Sequence, residues 1–177
     1  PESHIPNKHG LLWFVSEVWD KILANTPNIK LHVIGKWSDK TVNDWAAKYR
    51  NLIFEGFVDD LVPALQEKIM IVPIYEGSGI RMKILEAANV GVPFVSCTVG
   101  AEGLLFTSGK DCFITDDPVE FADIIIRLLS DRELLNVIAN NAKKHVRENF
   151  SDEKFIQTRM CCYQNVINAS QENKLNG

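Results

Sequence analysis

The residues best suited to chemistry are two glycines and two cations that follow the most apolar run of the sequence. Gly77, Ser78 and Gly79 connect that run to a helical stretch, which carries Arg81 and Lys83 near its start. Glycine lets backbone N–H groups approach a phosphate closely, and a helix start adds the positive end of its dipole. Cations at such a position oppose the dipole unless an anion offsets them. The pattern therefore predicts a phosphate-binding site.

A single carboxylate follows two helical turns into the same stretch. The side chain of Glu86 leans back toward the helix start, because helical side chains tilt toward the N-terminus. An ionised carboxylate accepts hydrogen bonds through two oxygens, which suits two adjacent hydroxyls. The order of groups fits a diphosphate with a ribose beside it. The alternative is that Lys83 and Glu86 form a surface ion pair worth a few tenths of a kcal/mol.

Strands and helices alternate along the chain, and this alternation must position the glycine loop. Apolar runs predict strands at residues 30–35, 52–54, 69–73, 93–96 and 112–115. Helical periodicity and caps predict helices at residues 11–25, 38–49, 59–68, 80–90, 118–129, 132–149 and 153–168. Such alternation requires parallel strands joined by right-handed crossovers. We predict an α/β fold with a Rossmann-like doubly wound parallel sheet, which binds ligands at the carboxyl ends of its strands.

The first predicted element is a helix, although sheets of this kind ordinarily begin with a strand. We therefore expect residues 1–177 to form a single domain that is truncated at its first strand. A missing central strand leaves unpaired backbone groups and apolar surface. We expect another chain to fill the gap, as in a dimer, or the fragment to behave poorly in solution.

The composition excludes several classes of protein. Of 177 residues, 46% are hydrophobic and 24% are charged, which is typical of a soluble globular protein. The formal net charge of -4 gives no overall field that attracts nucleic acid or an anionic membrane. Cys97, Cys112, Cys161 and Cys162 have no metal-binding spacing with the histidines, so reduced thiols are expected. We predict a cytoplasmic protein with no metal site, no cofactor and no nucleic-acid partner.

Two acidic pairs and one tryptophan have local interpretations. Asp59-Asp60 and Asp116-Asp117 precede helical stretches, so we interpret them as helix caps rather than metal ligands. Trp37 follows the end of a predicted strand, where it is a candidate contact at the edge of a ligand. No residue is assigned a catalytic role.

A longer motif surrounds the glycine loop. It reads YEGSGIRMKILEAANVGVPFVS over residues 75–96 and continues to GAEG at residues 100–103. This order resembles the signature of the group 1 retaining glycosyltransferases, in the branch with G-S-G-x-R-x-K-x-x-E-A, G-x-P-x-V-S and G-A-E-G. Pro6-Asn7 with Gly10 resembles the loop after that family's first strand, and residues 56–59 resemble its nucleobase loop. The resemblance implies the C-terminal half of a GT-B glycosyltransferase.

The resemblance also implies roles for individual residues. Glu86 would hold the ribose hydroxyls, and the backbone of Phe57 and Val58 would border the base. Arg81 and Lys83 would lie at the diphosphate. Other donor contacts would come from two glycine-containing loops, formed by Gly77, Ser78 and Gly79 and by Gly100, Ala101, Glu102 and Gly103. Ser78 stands where many relatives carry a second glutamate, eight positions before the ribose-binding one.

The implied function is a donor domain for a UDP- or GDP-linked sugar, used in retaining, metal-independent transfer to an unknown acceptor. The acceptor would bind an N-terminal domain outside this sequence, and any peripheral contact with a membrane would come through that domain. The fragment alone is expected to bind nucleotide but to transfer little sugar. Two alternatives stay open: half of a nucleotide-sugar epimerase, and a non-catalytic nucleotide-binding module.

Overall fold

The fold consists of short parallel strands between helices. The computed structural model describes residues 1–151, 154 and 160. The strands are β1 (Leu31–Ile34), β2 (Leu52–Gly56), β3 (Met70–Val72), β4 (Phe94–Ser96) and β5 (Phe113–Ile114). The helices are α1 (Ile5–Trp13), α2 (Trp19–Asn25), α3 (Asp39–Lys48), α4 (Leu61–Leu65), α5 (Met82–Asn89), α6 (Thr98–Ala101), α7 (Pro118–Ser130) and α8 (Arg132–Asn149). The helix predicted at 153–168 lies outside the described residues, apart from 154 and 160.

All described strand pairs are parallel, as the alternating pattern predicted. β1 pairs with β2, and β3, β4 and β5 form a second group in that order. Within the described residues no strand joins β1 to β3, and a cavity of about 650 Å³ separates them. The parallel α/β architecture is therefore confirmed, with its sheet in two parts.

Helices cover both faces of the strands. On one face, α2 and α7 pack on each other and bury Trp19, Ile22 and Phe121 against Val33 and Val95. On the other face, α5 and α8 pack together over β3 and β4. Adjacent residues of one strand serve opposite faces, since Phe94 lies in the second core and Val95 in the first. All three residues of β4 are therefore buried, as expected for a strand that is covered on both faces.

The helix at the start of the chain is longer than its sequence pattern suggested. α1 begins at Ile5, with Pro6 in its first turn, and a π-helical turn over Phe14–Val18 joins it to α2. The prediction of a loop at Pro6-Asn7 and Gly10 is wrong, because these residues lie inside α1. Proline is well tolerated in a first turn, where its missing N–H has no helical partner in any case.

Acidic and hydroxyl side chains cap the helices as predicted. Asp60 accepts from the Val62 N–H, and Asp117 accepts from the Val119 and Glu120 N–H groups. Asp116 accepts from the N–H of Thr98 at the start of α6, so each of the two acidic pairs contains a cap.

Glu2 anchors the beginning of the described chain to the carboxyl ends of the strands. Its Oε1 accepts from Lys8 Nζ and from Thr41 Oγ1, both at 2.7 Å, and its Oε2 accepts from the Ser38 N–H at 2.7 Å. These hydrogen bonds, with that from Lys8 the largest influence, hold the pKa of Glu2 far below its usual range. The Glu2 N–H also donates to Lys36 O at 2.9 Å, just beyond β1. Residues 1–4 are thus fixed between α1 and α3.

Candidate functional site

The glycine loop lies beyond the carboxyl end of β3, where doubly wound sheets bind ligands. Gly77 and Gly79 have φ angles of +96° and +92°, a region that side chains with a Cβ rarely adopt. Gly77, Ser78 and Gly79 are exposed, and the chain then enters α5 at Met82. The loop therefore presents backbone to solvent at the expected edge of the strands.

Arg81 donates hydrogen bonds to the carbonyl groups of the glycine loop and leaves part of its guanidinium without a hydrogen-bond partner. Its Nη1 donates to Ser78 O at 2.7 Å and to Gly79 O at 3.0 Å. Its Nε and Nη2 are buried and have no hydrogen-bond partner in the described structure. Arg81 precedes α5 rather than lying in its first turn, since its backbone angles, φ -87° and ψ 84°, are not helical. Three N–H groups, one on Nε and two on Nη2, thus lack a partner among the described residues.

Lys83 is the second cation of the site, and it is partly buried. Its Nζ donates to Asn7 Oδ1 of α1 at 3.3 Å, and it forms no ion pair with a described residue. Burial, and next the charge of Arg81, lower the pKa of Lys83 to about 8. The alternative of a surface ion pair with Glu86 is therefore wrong, because Lys83 turns inward to a neutral amide.

Glu86 lies on the solvent side of α5. Its neighbours Leu85 and Ala87 are buried and anchor the helix, whereas Glu86 is exposed. It makes no hydrogen bond or ion pair with any residue in the described part of the chain, and both carboxylate oxygens are free to accept. The loop and Arg81 thus lead into α5, which carries Lys83 as its second residue and Glu86 as its fifth.

The start of α1 packs directly on the loop. A Cβ added at Gly10 would lie 2.1 Å from Pro73 O, and one added at Gly77 would lie 3.4 Å from the Pro6 ring. His9 Nδ1 lies 2.6 Å from Glu76 Oε1, which ties the helix to the residue before the glycine loop. The sequence did not reveal the parts played by Asn7 and Glu76, because their partners are 76 and 67 residues away.

A second cavity, of about 1080 Å³, opens at the carboxyl ends of β1 and β2. Phe57 and Val58 border it, and the Phe57 ring is 67% exposed with Lys36 Nζ 5.8 Å from its centroid. Trp37 also lines this cavity, and its buried Nε1 has no hydrogen-bond partner in the described structure. The predicted nucleobase residues thus lie at a concave, partly apolar edge.

The GAEG segment differs from its predicted loop. Gly100 and Ala101 are buried in α6, and a Cβ at Gly100 would lie 2.4 Å from Ser96 Oγ and 2.9 Å from Val72 O. Gly100 and Ala101 are thus helical rather than part of the loop implied by the resemblance, and Gly100 allows close packing on β3 and β4. Glu102 and Gly103 are exposed after the helix, and a Cβ at Gly103 would lie 3.9 Å from the side chain of Ile80. Only these two extend the glycine-loop surface.

The described residues offer neither a metal site nor a membrane-spanning helix. They contain no group of three or more His, Cys, Asp and Glu side chains arranged to hold a metal ion. Among them there is also no helix whose length and hydropathy would let it cross a membrane.

Solved structures share this architecture. TarM of S. aureus superimposes with a TM-score of 0.70 at 22% identity, over 85% of this chain and 31% of that one. HepE of Anabaena, in complex with UDP-glucose, superimposes with a TM-score of 0.65 at 18% identity, over 84% of this chain and 45% of that one. At these identities the likeness establishes the fold, which is that of the GT-B glycosyltransferases.

Sequence similarity identifies the family as well as the fold. A protein of 44.6 kDa from the cps region of Klebsiella pneumoniae is 28% identical over 156 residues, which cover 84% of this chain and 40% of that protein. This chain thus spans about two fifths of that relative. The family described as glycosyl transferases group 1 matches residues 3–131, which is more than half of the chain. With its fold and its glycine-loop motif, the chain belongs to the group 1 glycosyltransferases.

Proposed function

We propose that this chain is the donor-binding domain of a retaining, metal-independent glycosyltransferase, and that its ligand is a nucleoside diphosphate sugar. The observation that carries the proposal is the pair of cations beside the glycine loop. Arg81 has two buried nitrogens, Nε and Nη2, without a hydrogen-bond partner in the described residues, and Lys83 is partly buried against a neutral amide. No carboxylate in the described part of the chain pairs with either charge. A site that holds two such cations is built for an anion.

A diphosphate supplies what the two cations lack. Removing a charged group from water costs several kcal/mol unless a partner of opposite charge replaces the lost hydration. Hydrogen bonds from a guanidinium or an ammonium to an ionised oxygen are roughly twice as strong as those between neutral groups. Gly77 and Gly79 leave their backbone open to the same anion. The desolvation free energy of the two cations is thus offset only when a diphosphate occupies the site.

The remaining parts of the donor have candidate positions around the diphosphate. Glu86 is exposed and without a partner in the described residues, so it can accept both hydroxyls of a ribose. The cavity beside Phe57 and Val58 is proposed for the base. Glu102 and Gly103, on the exposed side of the chain after α6, are proposed to face the sugar. HepE, a structural neighbour, is in complex with UDP-glucose, so UDP is the first nucleotide to test.

The proposed reaction breaks the bond between the anomeric carbon and the oxygen of the diphosphate. Negative charge develops on the departing diphosphate, where Arg81 and Lys83 stabilise it. In retaining transfer the acceptor hydroxyl forms its bond on the face that the diphosphate leaves, and its proton passes to the departing diphosphate oxygen. The acceptor would be bound by a second domain, and closure of the two domains would exclude water from the reaction.

The role of Glu86 is tested by titration calorimetry of the chain with UDP, GDP and ADP. We expect one nucleotide to bind and Glu86→Ala to weaken its binding about tenfold or more, or about 1.4 kcal/mol, because two hydrogen bonds to the ribose are lost. Glu133 is also an exposed carboxylate, at the start of α8, so Glu133→Ala is the matched control and should bind normally. Equal affinities for all three proteins, or a folded chain that binds none of the nucleotides, would contradict the proposed site.

The pH dependence of binding tests Lys83. Its pKa of about 8 in the empty site means that the ammonium is charged below that pH and increasingly neutral above it. A bound diphosphate favours the charged form, so binding takes up a proton above pH 8. We expect the affinity for UDP to be constant from pH 7 to about 7.5 and then to fall, by at most about tenfold for each pH unit. Calorimetry in buffers of different ionisation enthalpy measures that proton uptake, and a flat profile to pH 10 would exclude a role for Lys83.

A further inference from the structure

Residues 102–112 join α6 to β5, and we call them the connecting segment. The segment comes close to the glycine loop, since a Cβ added at Gly103 would lie 3.9 Å from the side chain of Ile80, which directly follows Gly79. Its exposed residues Glu102 and Gly103 are the ones proposed to face the donor sugar. The shape of the connecting segment therefore determines which groups the sugar meets.

Leu105, within this segment, has a left-handed backbone. Its φ of +58° is costly for a residue with a Cβ, because the Cβ then crowds the following carbonyl oxygen. The Leu105 side chain is also 74% exposed, so little burial offsets that cost. Backbone strain of this kind persists only where the surroundings impose it, and it is common at binding sites. The surroundings of Leu105 therefore indicate how the segment is held.

His145 of α8 holds the chain on both sides of Leu105. Its Nε2 lies 2.9 Å from Leu104 O, and because a carbonyl oxygen only accepts, Nε2 carries a proton and donates. The Phe106 ring stacks on the imidazole, with 4.3 Å between the ring centroids and 30° between the planes. A single side chain thus fixes both the peptide group before Leu105 and the residue after it.

Asp111 fixes His145 from the far end of the connecting segment. Its Oδ1 accepts from the Thr107 N–H at 2.7 Å, and its Oδ2 lies 3.6 Å from His145 Nδ1. At 3.6 Å the second contact is electrostatic rather than a hydrogen bond. The side chains of Asp111 and His145 are only 4% and 12% exposed, and a buried carboxylate is stabilised by the charge of a protonated imidazole. Asp111 thus keeps the ring of His145 in place.

α8 relates this arrangement to the rest of the donor site. Val146, next to His145 in sequence, is buried in one core with Leu85 of α5. α5 carries Lys83 and Glu86, which are proposed for the diphosphate and the ribose. His145 therefore fixes the connecting segment relative to the helix that would hold the nucleotide.

We propose that His145 is a positioning residue of the donor site, which acts through Leu104 O and Phe106 to set the shape that the connecting segment presents to the sugar. This inference rests on the proposed donor function. His145 touches no donor atom, and its hydrogen bond and ring contact keep Leu105 left-handed beside Gly103. The nucleotide is bound by other residues, so a loss of His145 affects the sugar and spares the nucleotide.

The test compares the affinity for a nucleotide with the affinity for its sugar ester, UDP with UDP-glucose and GDP with GDP-mannose, by titration calorimetry. His145→Phe keeps a ring to stack on Phe106 and removes the donor to Leu104 O. We expect it to weaken binding of the sugar ester about fivefold, the usual worth of a neutral hydrogen bond, and to leave binding of the free nucleotide unchanged. His145→Gln places an amide N–H near the position of Nε2, so it should restore most of the lost affinity.

Asn141→Ala is the matched control. Asn141 also lies on α8 and also donates to a carbonyl of the connecting segment, to Lys110 O at 2.8 Å, but at the end that is remote from Gly103. Its loss should lower the urea midpoint and leave the affinities for nucleotide and sugar ester unchanged. A purely structural His145 would behave in the same way.

A second measurement requires no ligand. In the free chain, the amide resonances of Gly103 and Leu105 in a ¹H–¹⁵N spectrum should shift in His145→Phe and return toward the wild-type positions in His145→Gln. The same resonances should stay in place in Asn141→Ala.

Two results would overturn the proposal. The first is an equal loss of affinity for nucleotide and sugar ester in His145→Phe, and the second is no loss of either, with unchanged resonances of Gly103 and Leu105. Failure of the donor function looks different, because the folded wild-type chain would then bind none of the four ligands. That result would refute both assignments, and shifted resonances would then report a structural role of His145 alone.

Discussion

Replacing Lys83 by methionine is expected to strengthen the fold while it removes nucleotide binding. Burial lowers the pKa of this lysine to about 8, so the folded chain bears the cost of a charge that no described carboxylate offsets. Methionine keeps the aliphatic packing and removes that charge. We expect the free energy of unfolding at pH 7 to rise on the order of 2 kcal/mol. The affinity for UDP should fall about a hundredfold, the usual worth of a hydrogen bond between charged groups.

The opposite signs of these effects make the experiment decisive. Urea unfolding at pH 7 measures the first effect, and calorimetry with UDP measures the second. Lys40→Met is the control, because the Lys40 side chain is 86% exposed and pairs with Asp44 away from the site. If Lys83→Met loses stability and affinity together, Lys83 is a structural residue. The stability gain should shrink between pH 8 and 10.5, because the folded wild-type chain releases this proton at lower pH than its unfolded form.

The core of the candidate site could be predicted because its residues are neighbours in sequence. Two glycines, Arg81, Lys83 and Glu86 follow one strand and open one helix, and local rules relate each of them to that helix. The predicted helix at 80–90 is observed as Met82–Asn89. The helix starts two residues later than predicted, and Arg81, just before it, has non-helical backbone angles and donates two hydrogen bonds to the loop carbonyls.

What the sequence could not show were contacts between distant segments. Asn7 meets Lys83, and His9 meets Glu76, only because α1 returns across the end of β3. Pro6 is well suited to a first helical turn, whereas the resemblance implied a loop there. The role of Gly100 could not be predicted either, because the sequence alone does not distinguish a glycine required for close packing from a glycine required for a loop.

Local sequence patterns also could not predict that the strands divide into two groups. Hydrophobic runs locate β1 and β3 to within two residues, yet nothing in either run says which edge is paired. Strand pairing depends on the crossovers of the whole chain. Here α4 connects β2 to β3 across the cavity that separates β1 from β3. Chain order is therefore insufficient to place neighbours in this sheet.

Replacing Gly10 by alanine is expected to destabilise the chain by about 3 kcal/mol, although glycine is a poor helix former. Helix propensity alone predicts a gain of up to about 1 kcal/mol for this change inside α1. The Cβ of alanine, however, would lie 2.1 Å from the backbone oxygen of Pro73, so α1 must move off the end of β3. Overpacking of this kind usually costs about 1–3 kcal/mol, and rigid backbone places this case at the upper end.

The same displacement carries Asn7 away from Lys83 and His9 away from Glu76, so the affinity for UDP should fall together with stability. Gly109→Ala is the control for backbone strain, because Gly109 has a φ of +79° and a Cβ there would meet nothing within 4 Å. That variant should lose about 1 kcal/mol and bind UDP normally. A Gly10→Ala chain that is more stable than the wild type in urea would show that propensity prevails and that the contact of α1 with Pro73 does not position the site.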